Sequence, residues 1–295
     1  MPEITRVGVL GCGQMGSGIA QVAAMAGFAV VARDVEEGLL AKGQGAIRKS
    51  LDRLVEKGKL DPAARESALG RLTFTTRLAD LAACELVVEA VTEDLRVKTE
   101  LWQTLDAAAP SETIFASNTS SLSIGDMAVA TGRPDRFVGL HFFNPVPLMP
   151  LVEVVRAVTT SRETFDRAMA FARRLGKEPI AARDRSGFVV NRLLVPYLLD
   201  AVRALEDGVA TAPDLDRGMQ LGCGHPMGPL ALLDFIGLDT VVRIAEIMFE
   251  EYREQRFGPP PLLRRMVAAG LHGRKSGRGF YDYSVNPPTA IDLGL

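Results

Sequence analysis

Two residues carry the strongest chemical signal in this chain of 295 residues. His141 closes an apolar run, Phe137-Val138-Gly139-Leu140, that reads as a buried strand. Polar residues at the carboxyl ends of strands in an open α/β sheet face the ligand crevice. Glu153 sits inside a second apolar run, Leu151-Val152-Glu153-Val154-Val155. A carboxylate there is expensive to bury unless it is paired, and a histidine is a natural partner. Such a pair makes a general base with its orienter: the carboxylate fixes the imidazole tautomer and stabilises the imidazolium that forms. The competing readings are a satisfied structural histidine and a solvated edge-strand glutamate. The other two histidines lie far away in sequence, so no metal site is expected.

The second signal is Gly11-Cys12-Gly13-Gln14-Met15-Gly16, which fits G-x-G-x-x-G. Its context makes it specific: a strand, Arg6 to Leu10, precedes it, and a helix from about Met15 to Ala26 follows. The first glycine permits the tight turn, the second admits a pyrophosphate to the backbone, and the third lets helix and strand pack closely. The helix N-terminus adds unpaired N–H groups and a positive dipole end. Asp34 stands 18 residues beyond Gly16, after a second strand. A carboxylate there accepts hydrogen bonds from the adenine-ribose hydroxyls and repels a 2′-phosphate, so the motif points to NAD over NADP. Arg33 beside it tempers that preference. The competing reading is a plain structural turn with a surface aspartate. Cys12 needs no chemistry, because a small residue suffices.

Weaker candidates surround these. Ser117 to Ser121 is a polar loop after a strand; it is either a substrate-binding loop around Ser120 or a bland cap. Asn191 interrupts an apolar helix start, Phe188-Val189-Val190, either as a ligand or as a buried amide tied to local backbone. Glu93 and Lys98 follow the strand Leu86 to Val91 and either flank a cofactor or sit on a helix surface. Ser50 and Lys57 are two helical turns apart and share one face, where a lysine meets an anionic group or merely solvent.

These residues need elements to position them. The reading is α/β: a Rossmann-type doubly wound sheet with an inserted helical hairpin, followed by an all-α C-terminal domain. Strands are expected at Arg6 to Leu10, Phe28 to Ala32, Leu72 to Phe74, Leu86 to Val91, Thr113 to Ser117, Phe137 to His141, Leu151 to Val155 and near Pro179 to Ala182. Glu36 to Lys59 reads as one amphipathic helix, and Asp61-Pro62 opens its hairpin partner. Arg162 to Leu175 is a further helix. After Asp184-Arg185-Ser186-Gly187 the pattern turns helical, so the domains are expected at residues 1–185 and 186–295. The tail HGRKSGRGFYDY reads as a loop folded back on the body.

Composition narrows the function classes. Lys plus Arg total 34 against 36 Asp plus Glu, a net charge of −2, which disfavours a nucleic-acid partner. No apolar run is long enough for a membrane span. The N-terminus shows no signal peptide, which points to the cytoplasm. Cys12, Cys84 and Cys223 form neither a disulfide framework nor a metal pattern.

With these segments in order, the chain resembles the L-3-hydroxyacyl-CoA dehydrogenase family in its single-module form. The resemblance rests on VGVLGCGQMGSGIAQVAA, ASNTSSLSI, HFFNPVPLMPLVEVV, GFVVNRLLVPYLLDA, GCGHPMGPLALLDFIGLD and GRKSGRGFY, and covers nearly the whole chain. It implies NAD-dependent, reversible oxidation of the 3-hydroxyl of an acyl-CoA. It implies His141 as general base with Glu153 as partner, and Ser120 and Asn191 completing the substrate site. Gly11, Gly13, Gly16 and Asp34 would hold NAD, with Glu93, Lys98, Asn144 and Lys275 at positions that contact it. Ser50 and Lys57 would contact coenzyme A. The helical domain would contribute to the substrate cleft and form most of a homodimer interface. Rival readings are a related hydroxy-acid dehydrogenase of the L-gulonate type, a non-catalytic crystallin-like protein and a dinucleotide-sensing regulator. The intact Ser120, His141, Glu153 and Asn191 set argues against the second, and the lack of a basic recognition helix against the third.

Overall fold

The structure, a computed structural model, describes residues 3–294. The chain divides into two compact units, one extending to Phe188 and the other beginning at Val189. That is three residues beyond the boundary expected from the Asp184–Gly187 run. The reason is Phe188, whose buried ring belongs to the core of the first unit.

The first unit is built on an eight-stranded sheet. Its strands are β1 (Arg6–Leu10), β2 (Ala29–Arg33), β3 (Leu72–Thr75), β4 (Leu86–Glu89), β5 (Ile114–Ser117), β6 (Phe137–Phe142), β7 (Leu151–Arg156) and β8 (Glu178–Arg183). Their spatial order is β3-β2-β1-β4-β5-β6-β7-β8. Strands β1 to β6 are mutually parallel; β7 runs antiparallel to β6, and β8 runs parallel to β7. Parallel strands buried on both faces need continuous apolar runs, and RVGVL, LVVE and IFAS supply them. The reversal at β7 follows from the short Phe143-to-Pro150 link, which has no room for the crossover helix that parallel neighbours require.

Register aligns the carboxyl ends. Leu10 pairs with Glu89, Glu89 with Ser117, and Ser117 with Gly139, so His141 stands two residues past that line on the neighbouring strand. Alternation then sorts side chains to two cores. Val9, Val88, Ala116, Leu140 and Val154 face one core. Val87, Phe115, Phe137 and Val155 face the other. By the same period of two, Glu89, Ser117, His141 and Glu153 all project to the face of Val87, Phe115, Phe137 and Val155.

Helix α1 (Gln14–Met25) carries the glycine turn's continuation. Helices α2 (Glu37–Glu56) and α3 (Pro62–Gly70) form the hairpin inserted between β2 and β3. Asp61 caps α3 by accepting from the Ala63 N–H at 2.7 Å, with Pro62 at the first helical position. Helix α4 (Leu95–Asp106) was foreseen only as one of two readings of Glu93 and Lys98, and α5 (Ile124–Val129) was not foreseen. Helix α4 buries Lys98, Trp102 and Leu105, an i, i+4, i+7 stripe in which a lysine occupies an apolar position. Trp102 stacks on Phe115 at 4.8 Å between ring centroids. Helix α6 (Arg162–Arg174) completes this unit.

The second unit packs α7 (Val190–Glu206), α8 (Ala212–Cys223), α9 (Pro229–Ile236), α10 (Leu238–Tyr252) and α11 (Pro261–Ala268) around one apolar core. Its tail is more ordered than a plain loop. Phe280 is fully buried, and the two-residue strands β9 (Tyr281–Asp282) and β10 (Thr289–Ala290) pair antiparallel. Two buried carboxylates fasten this region. Asp234 accepts from the N–H groups of Phe280 and Tyr281 and from the Tyr283 hydroxyl, at 2.9 to 3.0 Å. Asp216 accepts from Leu230 N, Ala231 N and the Tyr281 hydroxyl. Among the described residues, no helix is long and apolar enough to cross a membrane.

Candidate active site

The glycine turn opens into a cleft of about 990 Å³ in the first unit. Gly11 has φ +92°, and a Cβ there would meet the Ala90 carbonyl oxygen at 2.6 Å. A Cβ on Gly16 would overlap the Gly11 carbonyl. Both positions therefore require glycine for the turn itself. Gly13 is different: its added Cβ would meet nothing within 4 Å, so the absent side chain leaves open space over the backbone. That is the cradle a pyrophosphate needs at a helix N-terminus. Asp34 lines the same cleft. Its carboxylate accepts from Cys12 N at 2.6 Å and from Val35 N at 2.7 Å, which aims it at the turn. The residues present fit a dinucleotide with a free ribose diol. Burial, with the nearby Asp34 charge, pushes the Cys12 thiol up to about 12.

The base and its partner sit on opposed strands. His141 and Glu153 are register partners across the β6–β7 ladder. His141 Nδ1 lies 2.6 Å from Glu153 Oε2, and the Glu153 side chain is fully buried. A carboxylate only accepts, so Nδ1 carries the proton in the neutral ring and Nε2 keeps its lone pair. Nε2 has no hydrogen-bond partner among the described residues. The rings of Phe143 and Phe188 flank the imidazole at 4.5 and 5.6 Å. Phe188 adopts φ +46°, a left-handed backbone that bulky residues rarely take, and it does so beside the base.

A buried charged network lies at the ends of β4 and β5. Lys98 is 1% exposed, and its ammonium contacts Glu89 and, at 3.3 Å, Glu93. Glu89 also accepts from Val91 N at 2.7 Å and from the Ser117 hydroxyl at 2.6 Å. Glu93 accepts from the Thr119 hydroxyl, from Ser120 N at 3.2 Å and from the Ser121 hydroxyl at 3.2 Å. Glu93 thereby holds the Ser120 loop in place. Lys98 is not a helix-surface charge, and its ammonium acts on the loop through Glu93.

Comparison with known proteins gives the family. Residues 6–185 match the family model for the 3-hydroxyacyl-CoA dehydrogenase NAD binding domain, and residues 187–283 match the model for its C-terminal domain. The chain belongs to the 3-hydroxyacyl-CoA dehydrogenase family. A 3-hydroxybutyryl-CoA dehydrogenase of Mycobacterium tuberculosis is 54% identical over 95% of this chain and 99% of its own. The mitochondrial hydroxyacyl-coenzyme A dehydrogenase of Sus scrofa is 47% identical over 95% of this chain and 91% of its own. The solved (S)-3-hydroxybutyryl-CoA dehydrogenase of Ralstonia eutropha superposes with a TM-score of 0.93 at 46% identity, covering 96% of this chain and all of that one.

The other expected residues are placed as follows. Ser50 and Asn144 line the cleft that holds the glycine turn and Asp34. The Asn144 amide has no hydrogen-bond partner among the described residues. Lys57 is exposed, one residue past the end of α2. Asn191 lies in the first turn of α7, and Lys275 pairs with Asp239, both in the second unit.

Several supporting residues were missed in the sequence. Glu89 sits in LVVE, with the same pattern of a lone carboxylate among apolar neighbours that singled out Glu153. Asn118 accepts from Phe142 N at 2.9 Å and steadies the strand end beyond His141. Lys177 donates to the carbonyls of Val146 and Met149 at 2.6 and 2.8 Å, holding the segment that carries Asn144. Burial lowers the Lys177 ammonium below the ordinary lysine range. Asp184 caps α5 by accepting from Ile124 N and Gly125 N. Lys177 and Asp184 gave no signal in sequence, because their partners are backbone groups far away along the chain.

Proposed function

We propose that the chain interconverts (S)-3-hydroxyacyl-CoA and 3-oxoacyl-CoA with NAD, with 3-hydroxybutyryl-CoA and acetoacetyl-CoA as the short-chain pair. The observation that carries this is the 2.6 Å contact of His141 Nδ1 with a fully buried Glu153, which leaves Nε2 as the free basic atom. In the oxidative direction Nε2 takes the proton from the 3-hydroxyl, and the Glu153 carboxylate stabilises the imidazolium that results. NAD, when bound, supplies the hydride acceptor for C3. In the reductive direction the protonated ring returns its proton to the carbonyl oxygen. Ser120 and Asn191 are assigned to the reacting oxygen and the thioester, and Glu93 keeps Ser120 in position through its backbone N–H. Gly11, Gly13, Gly16 and Asp34 bind the dinucleotide, with Asn144, Glu93, Lys98 and Lys275 in support. Ser50 and Lys57 are assigned to coenzyme A.

The relatives support the four-carbon substrate by their names. We assign the protein to the cytoplasm, and to a homodimer formed through the C-terminal domain of residues 186–295. Leu193, Val209, Leu221 and Phe235 are exposed apolar side chains in that region, a surface that association would cover. Sedimentation analysis should give twice the chain mass.

The deciding assay follows NADH absorbance with acetoacetyl-CoA, using free acetoacetate and NADPH as controls. Fast turnover with the thioester and NADH alone is expected. Equal turnover of the free acid would move the reading to a hydroxy-acid dehydrogenase of the L-gulonate kind and remove the roles of Ser50 and Lys57. No turnover of either would favour a non-catalytic relative.

A further inference from the structure

The buried network of Glu89, Lys98 and Glu93 is not electrically balanced. Glu89 receives three donors, from Lys98, Val91 N and Ser117, and donates to none. Glu93 likewise receives Thr119, Ser120 N, Ser121 and Lys98. Ionised carboxylates accept and never donate, and both side chains are set among donors in that way. Two carboxylates therefore face one ammonium, and the cluster carries one surplus negative charge. Glu89 and Lys98 are withdrawn from solvent, so salt screens this charge poorly. Around it, Asp94 pairs with Arg96 and Asp106 with Arg133, while Glu100, exposed on α4 at the cleft, adds a negative charge open to solvent and salt.

Its place in the sheet gives the surplus a target. The glycine turn follows β1 and the base stands on β6, with β4 and β5 between them. A dinucleotide anchored at the turn and passing hydride beside His141 must cross the ends of β4 and β5. Its nicotinamide end then lies over the charged cluster. The oxidised ring is a cation and the reduced ring is neutral. We propose that the Glu89–Lys98–Glu93 cluster selects between redox states, holding NAD more tightly relative to NADH than a neutral site would. This rests on the dehydrogenase reading of His141.

The test is binding rather than turnover: dissociation constants for NADH by its fluorescence and for NAD by competition. Glu89→Gln neutralises the cluster and should shift the NAD-to-NADH affinity ratio toward NADH, on the order of tenfold. The double variant Glu89→Gln/Lys98→Met restores one surplus negative charge and should return the ratio toward that of the unaltered protein. A merely structural role would weaken both ligands together and leave the double variant worse than the single. If melting curves report that the buried variants do not fold, Glu93→Gln, at a partly exposed position, neutralises the same cluster and should shift the ratio the same way. An unchanged ratio in a folded, NADH-binding Glu89→Gln or Glu93→Gln overturns the selector alone. Failure of the unaltered protein to bind NADH would overturn the dehydrogenase reading with it.

Discussion

Both units bury carboxylates, but they treat them differently. In the first unit, Glu153 faces a histidine, and Glu89 and Glu93 face a lysine. In the second, Asp216 and Asp234 accept only from backbone N–H groups and tyrosine hydroxyls in the contacts described above. A buried carboxylate needs donors in either case. Neutral donors fix a fold, because their protons stay where they are. A titratable partner such as His141 has a proton to exchange with a ligand, and two carboxylates sharing one lysine keep a net charge that a ligand can feel. The first arrangement is the material of a reaction site, and the second is a fastening for the tail. Burial of an acid is thus no guide to function until its donors are named.

Breaking each kind of partnership should separate activity from stability. The largest effect is expected for His141→Gln: kcat lower by on the order of 10³-fold, with the affinity for NADH in a fluorescence titration near that of the unaltered protein. Retention of most turnover would remove the role given to His141. Glu153→Gln should lower kcat by on the order of 10²-fold, because the amide still contacts the ring but cannot stabilise the imidazolium. Steady-state kinetics should place this loss in kcat rather than in KM for NADH. Asp234→Asn should do the reverse. It should cost about 1–3 kcal/mol in denaturant unfolding, by leaving one of the donors poorly served, while the folded enzyme keeps its turnover.

The pH dependence sharpens the last case. Burial raises the Asp234 carboxyl from 3.8 to about 6, even with three donors aimed at it. The folded state therefore holds this proton more tightly than the unfolded chain does. The stability gained is complete below 3.8 and is lost as the pH climbs through about 6. The stability difference between the unaltered protein and Asp234→Asn should accordingly shrink from pH 4 to pH 7, as unfolding curves across that range would record.

Much of this was legible before any coordinates. The turn at Gly11, the hairpin opened at Asp61-Pro62 and the pairing of His141 with Glu153 each announced themselves through local pattern. What escaped has physical causes. Helix α5 has six residues, too few for a period to emerge. In α4, Lys98 breaks the apolar stripe set by Trp102 and Leu105, so the stripe reads as surface. The clue to its burial was Glu89, a second carboxylate alone in an apolar strand, which makes the lysine and the acid intelligible only together. Strands β9 and β10 span two residues each and depend on contacts distant in the chain. The antiparallel turn of β7 was written in the brevity of the link before it, a signal in spacing rather than in composition.

The pairing of His141 with Glu153 across a ladder has a consequence for how such chains tolerate insertions and deletions. Side chains alternate along a strand, so one residue added within β7 ahead of Glu153 would turn that side chain to the opposite face of the sheet. Two added residues would restore the face but displace the carboxylate along the strand by about 7 Å. Neither leaves it against the imidazole. Length variation is therefore expected to collect in the exposed ends of the α2–α3 hairpin and to avoid the stretch from Phe142 to Glu153, whose length sets which two residues meet.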